Sequence, residues 1–178
     1  MDAPMKMPSA NRRAETLIES LGLAPHPEGG YYREVHRAAE RVRTGRGPRS
    51  ALTTIYFLLL RGRKSVFHRV LSDEVWHYYE GAPLRLWRVA ADFKTREALI
   101  LGPTGGKAPK GPGAAQGSAQ VAVIRRREWQ AAESLGEYTL VGCSVGPGFD
   151  FADFKLLRDD ARAAGKMRKA FPDLEALI

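Results

Sequence analysis

Apolar residues recur along this chain with two different periods, which divide it into a long middle and two ends. Between residues 9 and 22, Ala14, Leu17, Ile18 and Leu21 fall on one helical face, with Ser9 as N-cap and Gly22 as the stop. From Tyr31 the period shortens to two. Tyr31 to His36 alternates, residues 51–60 have the β-branched and aromatic content of a buried strand, and Leu84 to Val89 alternates apolar with basic. Residues 97–101, Gln120 to Ile124 and Tyr138 to Val145 predict further short strands. Phe67 to Gly81 predicts a hairpin, in which a histidine strand meets a Leu71-Ser72-Asp73 turn and Glu74 opens an aromatic strand. Residues 37–50 are expected to be an exposed basic connection, and the Gly/Pro/Ala/Lys run at 102–118 a mobile loop. After Arg158 the residues favour helix, broken at Pro172. Many short strands with helices only at the ends predict an all-β sandwich or barrel.

Length and composition narrow this picture. The 178 residues suit one domain, 1–178, with an ordinary 44% hydrophobic and 27% charged content. Cys143 is the only cysteine, which excludes an intrachain disulfide and a cysteine-rich zinc motif and suggests a reducing, cytoplasmic home. No apolar run reaches the roughly 18 residues of a membrane helix, so no membrane partner is expected, and residues 1–13 lack the apolar core of a signal peptide. The net charge of +8 raises nucleic-acid binding as a minor alternative. The basic residues are scattered beside turns, however, so a solvated basic surface is the expectation. There is no G-x-S-x-G elbow and no phosphate-binding P-loop, and Cys143 is expected to be a buried, inert thiol.

Phe67 to Gly81 resembles the first motif of the cupin superfamily, H-x-H, three or four residues, E, six residues, G. His68 takes the first position, Val70 the second histidine's place, Glu74 the glutamate and Gly81 the glycine. The runs Leu21 to Glu34, Asp73 to Leu84, Trp129 to Ala132 and Pro147 to Phe154 resemble the DUF985, or cupin-5, family over about residues 16–157. The resemblance implies a double-stranded β-helix, or jelly-roll barrel, with an N-terminal helix and a short helical tail. It also implies a mouth pocket and a homodimer. The second cupin motif ends in a histidine, and here Gln130 stands in that position. Arg125-Arg126-Arg127 replaces the Pro-Ala-Gly of relatives, where glycine and proline would set the backbone.

Strand alternation then sorts the candidates. If Glu74 faces inward, so should Trp76, Tyr78 and Glu80, whereas His77 should face away. His68, Glu74 and Gln130 are the candidate metal set, one imidazole, one carboxylate and one amide for a weakly held divalent zinc, nickel, manganese or iron. The alternative is a metal-free isomerase or epimerase of a sugar or sugar nucleotide, with His68 as base, Glu74 as its partner and Tyr78 as acid. Trp76 and Trp129 would give the mouth flat walls, and Glu28, Tyr32, Arg33, Glu80 and Asp150 would supply polar contacts to a small polar or aromatic molecule. Asp150 is alternatively a turn cap, Arg33 a surface ion pair, and each tryptophan core filler. Whether the chain is an enzyme stays open on these residues.

Overall fold

A computed structural model describes residues 9–105 and 118–178. The polar start at 1–8 and most of the expected loop, 106–117, lie outside the described residues. In chain order the elements are α1 (Ser9–Leu21), β1 (Ala24–Pro25), β2 (Tyr31–Arg37), β3 (Arg41–Thr44), β4 (Gly47–Ser50), β5 (Thr53–Leu60) and β6 (Lys64–Arg69). There follow β7 (Asp73–Gly81), β8 (Leu84–Val89), β9 (Arg96–Leu101), β10 (Val121–Ile124), β11 (Trp129–Ser134), β12 (Tyr138–Gly146), β13 (Lys155–Leu156) and α2 (Ala161–Ala170). A 3₁₀ turn at Pro172–Leu177 ends the chain.

Two antiparallel sheets face each other, one ordered β1-β2-β5-β12-β7-β10 and the other β13-β6-β11-β8-β9. Period-two alternation decides which residues go between them. Along β5, Phe57 and Leu59 meet Leu84, Leu86 and Ala132 of the opposite sheet, while Leu58 faces out and packs under Leu17 of α1. The outer face of the second sheet is covered by Ala163, Ala164 and Met167 of α2, with Leu174 and Leu177 beyond them. This is the all-β architecture that the short strands predict, with helices only at its ends, and the jelly roll that the resemblance implies.

Three local expectations need correcting. Residues 37–50 are not a plain connection, because β3 and β4 pair as their own hairpin. The stretch 67–81 is not a hydrogen-bonded hairpin either. β6 pairs with β11 and β13 in one sheet, and β7 pairs with β12 and β10 in the other. The turn at 70–72 therefore crosses between layers, which sets His68 and Glu74 on facing walls. Thirdly, β7 does not alternate to its end. Val141 pairs with Tyr78 and Leu140 with Glu80, so Tyr79 is an extra residue and Glu80 turns to the outer face.

Candidate functional site

One end of the space between the sheets opens into a cavity of about 530 Å³. His68 approaches from β6 and Val70 from the turn after it, Glu74 from β7, and Cys143 and Val145 from β12. His26 and Glu28 enter from the loop after β1, and Phe149, Phe151 and Phe154 close the rim. The loop is held against β6, where Val66 N–H donates to the Glu28 carbonyl at 2.9 Å. Gly29 makes this approach possible: its φ is +110°, and a Cβ there would fall 2.1 Å from the Lys64 carbonyl oxygen.

The cavity floor is a chain of buried polar groups. His68 Nδ1 lies 2.9 Å from the Val66 carbonyl oxygen and donates to it, so the neutral ring presents Nε2 as an acceptor. That nitrogen is 3.1 Å from Glu28 Oε2. Ser65 Oγ donates to the other oxygen, Oε1, at 2.8 Å. His26 Nδ1 accepts the Glu28 backbone N–H at 3.3 Å and lies 3.5 Å from the same Oε2. Two acceptor nitrogens thus face one carboxyl oxygen, and a proton between them must come from Glu28. Burial points the same way. It raises the Glu28 pKa against the lowering effects of His26 and Ser65. It lowers the pKa of both His68 and His26. Geometry and burial thus both favour a protonated Glu28 beside neutral imidazoles.

Glu74 forms the opposite wall. Gln130 Nε2 donates to Glu74 Oε2 at 2.6 Å, and Trp76 Nε1 donates to Gln130 Oε1 at 3.0 Å. Burial raises the Glu74 pKa against the lowering effects of His68 and the Gln130 hydrogen bond. Cys143 hydrogen-bonds to Glu74, and burial lifts its thiol well above the usual range. Cys143 is therefore a protonated donor in the cavity wall, not a nucleophile.

The donors do not fit the metal centre that the fold family implies. Val70 offers no ligand, both ends of the Gln130 amide are engaged, and His68 divides its nitrogens between Val66 and Glu28. Among the described residues no group of three or more His, Cys, Asp or Glu is disposed to hold an ion. The expected set is thus divided, with Glu74 and Gln130 bonded to each other and His68 bonded to Val66 and Glu28 on the facing wall.

Of the other expected site residues, Tyr32 lines the cavity, and so does Asp150, which also caps a 3₁₀ turn by accepting the Ala152 N–H. Tyr78 does not line it: its hydroxyl donates to the Gly81 carbonyl at 2.7 Å. Glu80 is outside, bound by Arg13 and by Tyr138 under α1. Arg33 follows Tyr32 in β2 and faces away, donating to the Leu21 carbonyl at the end of α1. Trp76 is core, edge-on to Phe57. Trp129 precedes Gln130 and so points to the outer face, against α2, with Arg69 over its ring at 4.7 Å. His77 lies between Gly142 and Val121 on the outer side of β7, as alternation requires. His26 was not among the expected site residues. Its signal was its position two residues before Glu28, in a loop already read as lining the mouth.

Similar folds are found among solved structures. A hypothetical protein from Leishmania major shares 31% identity over 93% of this chain and 96% of that one, with a TM-score of 0.74. A Shewanella oneidensis protein shares 27% over 92% and 93%, also at 0.74. A cupin 2 domain-containing protein from Halorhodospira halophila, at 16% identity over 87% and 86%, gives 0.54, a likeness of fold alone. None of the curated proteins compared with the chain matches it. The model of the DUF985 family matches residues 15–157, and the chain belongs to that family of the cupin superfamily.

Proposed function

We propose that the chain binds a small polar or aromatic molecule in its barrel mouth and moves a proton on it, as an isomerase or epimerase of a carbonyl compound such as a sugar would. The supporting observation is the contact of Glu28 Oε2 with His68 Nε2 inside the cavity. A neutral carboxylic acid can deliver a proton, and a neutral imidazole nitrogen beside it can take one up. The pair can therefore shift a proton between two positions of a bound molecule without changing the net charge of the site. Tyr32, Phe57 and the three rim phenylalanines offer apolar walls to a ring. Glu28 takes the acid's part that Tyr78 was expected to play, and His68 keeps its own.

The test is a panel of small aldo and keto compounds in deuterium oxide, followed by proton NMR. Loss of a C–H signal with the native protein, absent with Glu28→Gln and with His68→Gln, is the expected result. Exchange undiminished in both variants would overturn the reading. A cytoplasmic homodimer belongs to the same proposal. The edge strand β10 leaves Val121 and Val123 exposed, which favours pairing between two copies. Among the described residues no helix is long and apolar enough to cross a membrane.

A further inference from the structure

We propose that the loop carrying Glu28 has a second site on its far side, for a small phosphate- or carboxylate-bearing anion, and that the anion tightens the hold of Glu28 and His26 on their protons. A separate cavity of about 500 Å³ lies there. It shares His26 and Glu28 with the mouth cavity, so the loop is a thin partition between the two. The rest of its wall includes Gly62, Arg63, Lys64 and Arg158.

The charges on this wall are not neutralised. The side chains of Arg63 and Arg158 make no hydrogen bond or ion pair among the described residues, and there Lys64 Nζ donates only to the Ala176 carbonyl, at 3.2 Å. By contrast the arginines around the mouth, Arg37, Arg46 and Arg49, are each paired with a carboxylate. The one acid lining the far cavity is Glu28, whose carboxyl is taken up by Ser65 and His68. Three cations without an anion on a concave surface suit an anionic group, and guanidinium is the residue chemistry that fits it best. The partition leaves room for it. A Cβ on Gly62, between the loop and Arg63, would meet nothing within 4 Å. A negative charge behind the loop disfavours ionisation of Glu28 and favours protonation of His26. Binding itself is independent of any reaction in the mouth.

Titrating the labelled full chain with inorganic phosphate at constant ionic strength, with chloride as control, tests this by amide and imidazole NMR. Saturable shifts at Gly29, Gly30 and Gly62 are expected, together with a rise in the His26 titration midpoint. The Arg63→Gln/Arg158→Gln double variant should weaken binding about tenfold or more, the range for charge-assisted hydrogen bonds. Both side chains are exposed and unpaired among the described residues, so the fold is not at issue. Arg43→Gln, which removes an exposed charge elsewhere, should leave binding unchanged. Shifts that chloride reproduces, or that survive the double variant, overturn the site. A His26 midpoint indifferent to bound phosphate overturns the coupling. A short oligonucleotide that outcompetes phosphate at the same residues overturns the small-anion assignment.

Discussion

The floor of the mouth and its rim are both built on buried carboxyls, yet they hold them in opposite states. On the floor, Glu28 and Glu74 are surrounded by imidazole, hydroxyl, amide and thiol groups, and burial raises the pKa of both. At the rim, Asp153 is only 4% exposed. Burial pushes its pKa up too, but Arg49 and Arg46 outweigh it, and the net shift is downward. Arg49 grips both carboxylate oxygens, at 2.9 and 3.0 Å. Arg46 adds a third bond at 3.1 Å and also donates to Leu71 O and Ser72 Oγ. Burial alone does not set the charge of a carboxyl; the permanence of its partner's charge does. The rim uses fixed charges as a latch, tying the β3–β4 hairpin to the turn between β6 and β7. The floor keeps a movable proton.

The largest expected effect comes from cutting the latch. Asp153→Ala takes the anion from Arg46 and leaves Arg49 only the more distant Asp150, at 3.9 Å, and should cost about 3 kcal/mol, the lower end for removing one member of a buried pair. Urea unfolding monitored by tryptophan fluorescence would measure it. A loss no larger than that of an exposed ion pair, under about 1 kcal/mol, would mean that the rim is not a latch. Acid should mimic the variant. A lowered carboxylate pKa stabilises the fold above the unfolded value and loses that contribution as pH falls through the folded one.

An intermediate effect separates a shared neutral proton from an ion pair on the floor. In Glu28→Gln the amide can still accept from Ser65 and donate to His68 Nε2, so stability should change by about 1 kcal/mol or less. Were Glu28 an anion bound to an imidazolium, the same substitution would strand a buried cation and cost about 3–5 kcal/mol. Thermal and urea unfolding at neutral pH would distinguish these values.

Much of this architecture was legible because it follows from alternation and turn residues. β2 and β8 fall where period-two spacing places them, β5 where β-branched and aromatic content does, and β12 on the strand expected at Tyr138 to Val145, and the spacing of His68, Glu74 and Gly81 marks the family. What escaped did so for identifiable reasons. A turn signal reports a reversal of the chain but not whether the two strands stay in one sheet, so the β6–β7 crossing could not be foreseen. The bulge at Tyr79 changes the face of Glu80, and nothing local announces it. Two assignments contradicted alternation from the start. Tyr32 and Arg33 are neighbours in one strand, as are Trp129 and Gln130, and neighbours cannot both face the cavity. His26 has no period to reveal it, because it belongs to a loop. The arginine triplet makes its turn after all, with Arg127 at φ +70° and its N–H donated to the Val70 carbonyl.

The smallest and most discriminating effect is in the pH dependence of Glu74→Gln. The folded pKa of Glu74 lies above its ordinary value of 4.5, so between the two the native state binds more protons than the unfolded state. Stability must then fall as pH rises through that window. A glutamine at this position has no proton to lose. The variant should therefore gain on the native protein from about pH 4.5 upward, with a constant difference below that. His26 and His68 act in the opposite sense. Their folded pKa values are lowered, so the native state resists protonation and stability falls as pH drops below the ordinary histidine value. Both proteins contain His26, whose contribution cancels, and the difference reports Glu74 together with the His68 to which it is coupled. Urea midpoints of the two proteins across the acid-to-neutral range would give that difference directly. A variant that instead loses ground as pH rises would show Glu74 to be a stabilised anion, and the floor would then resemble the rim.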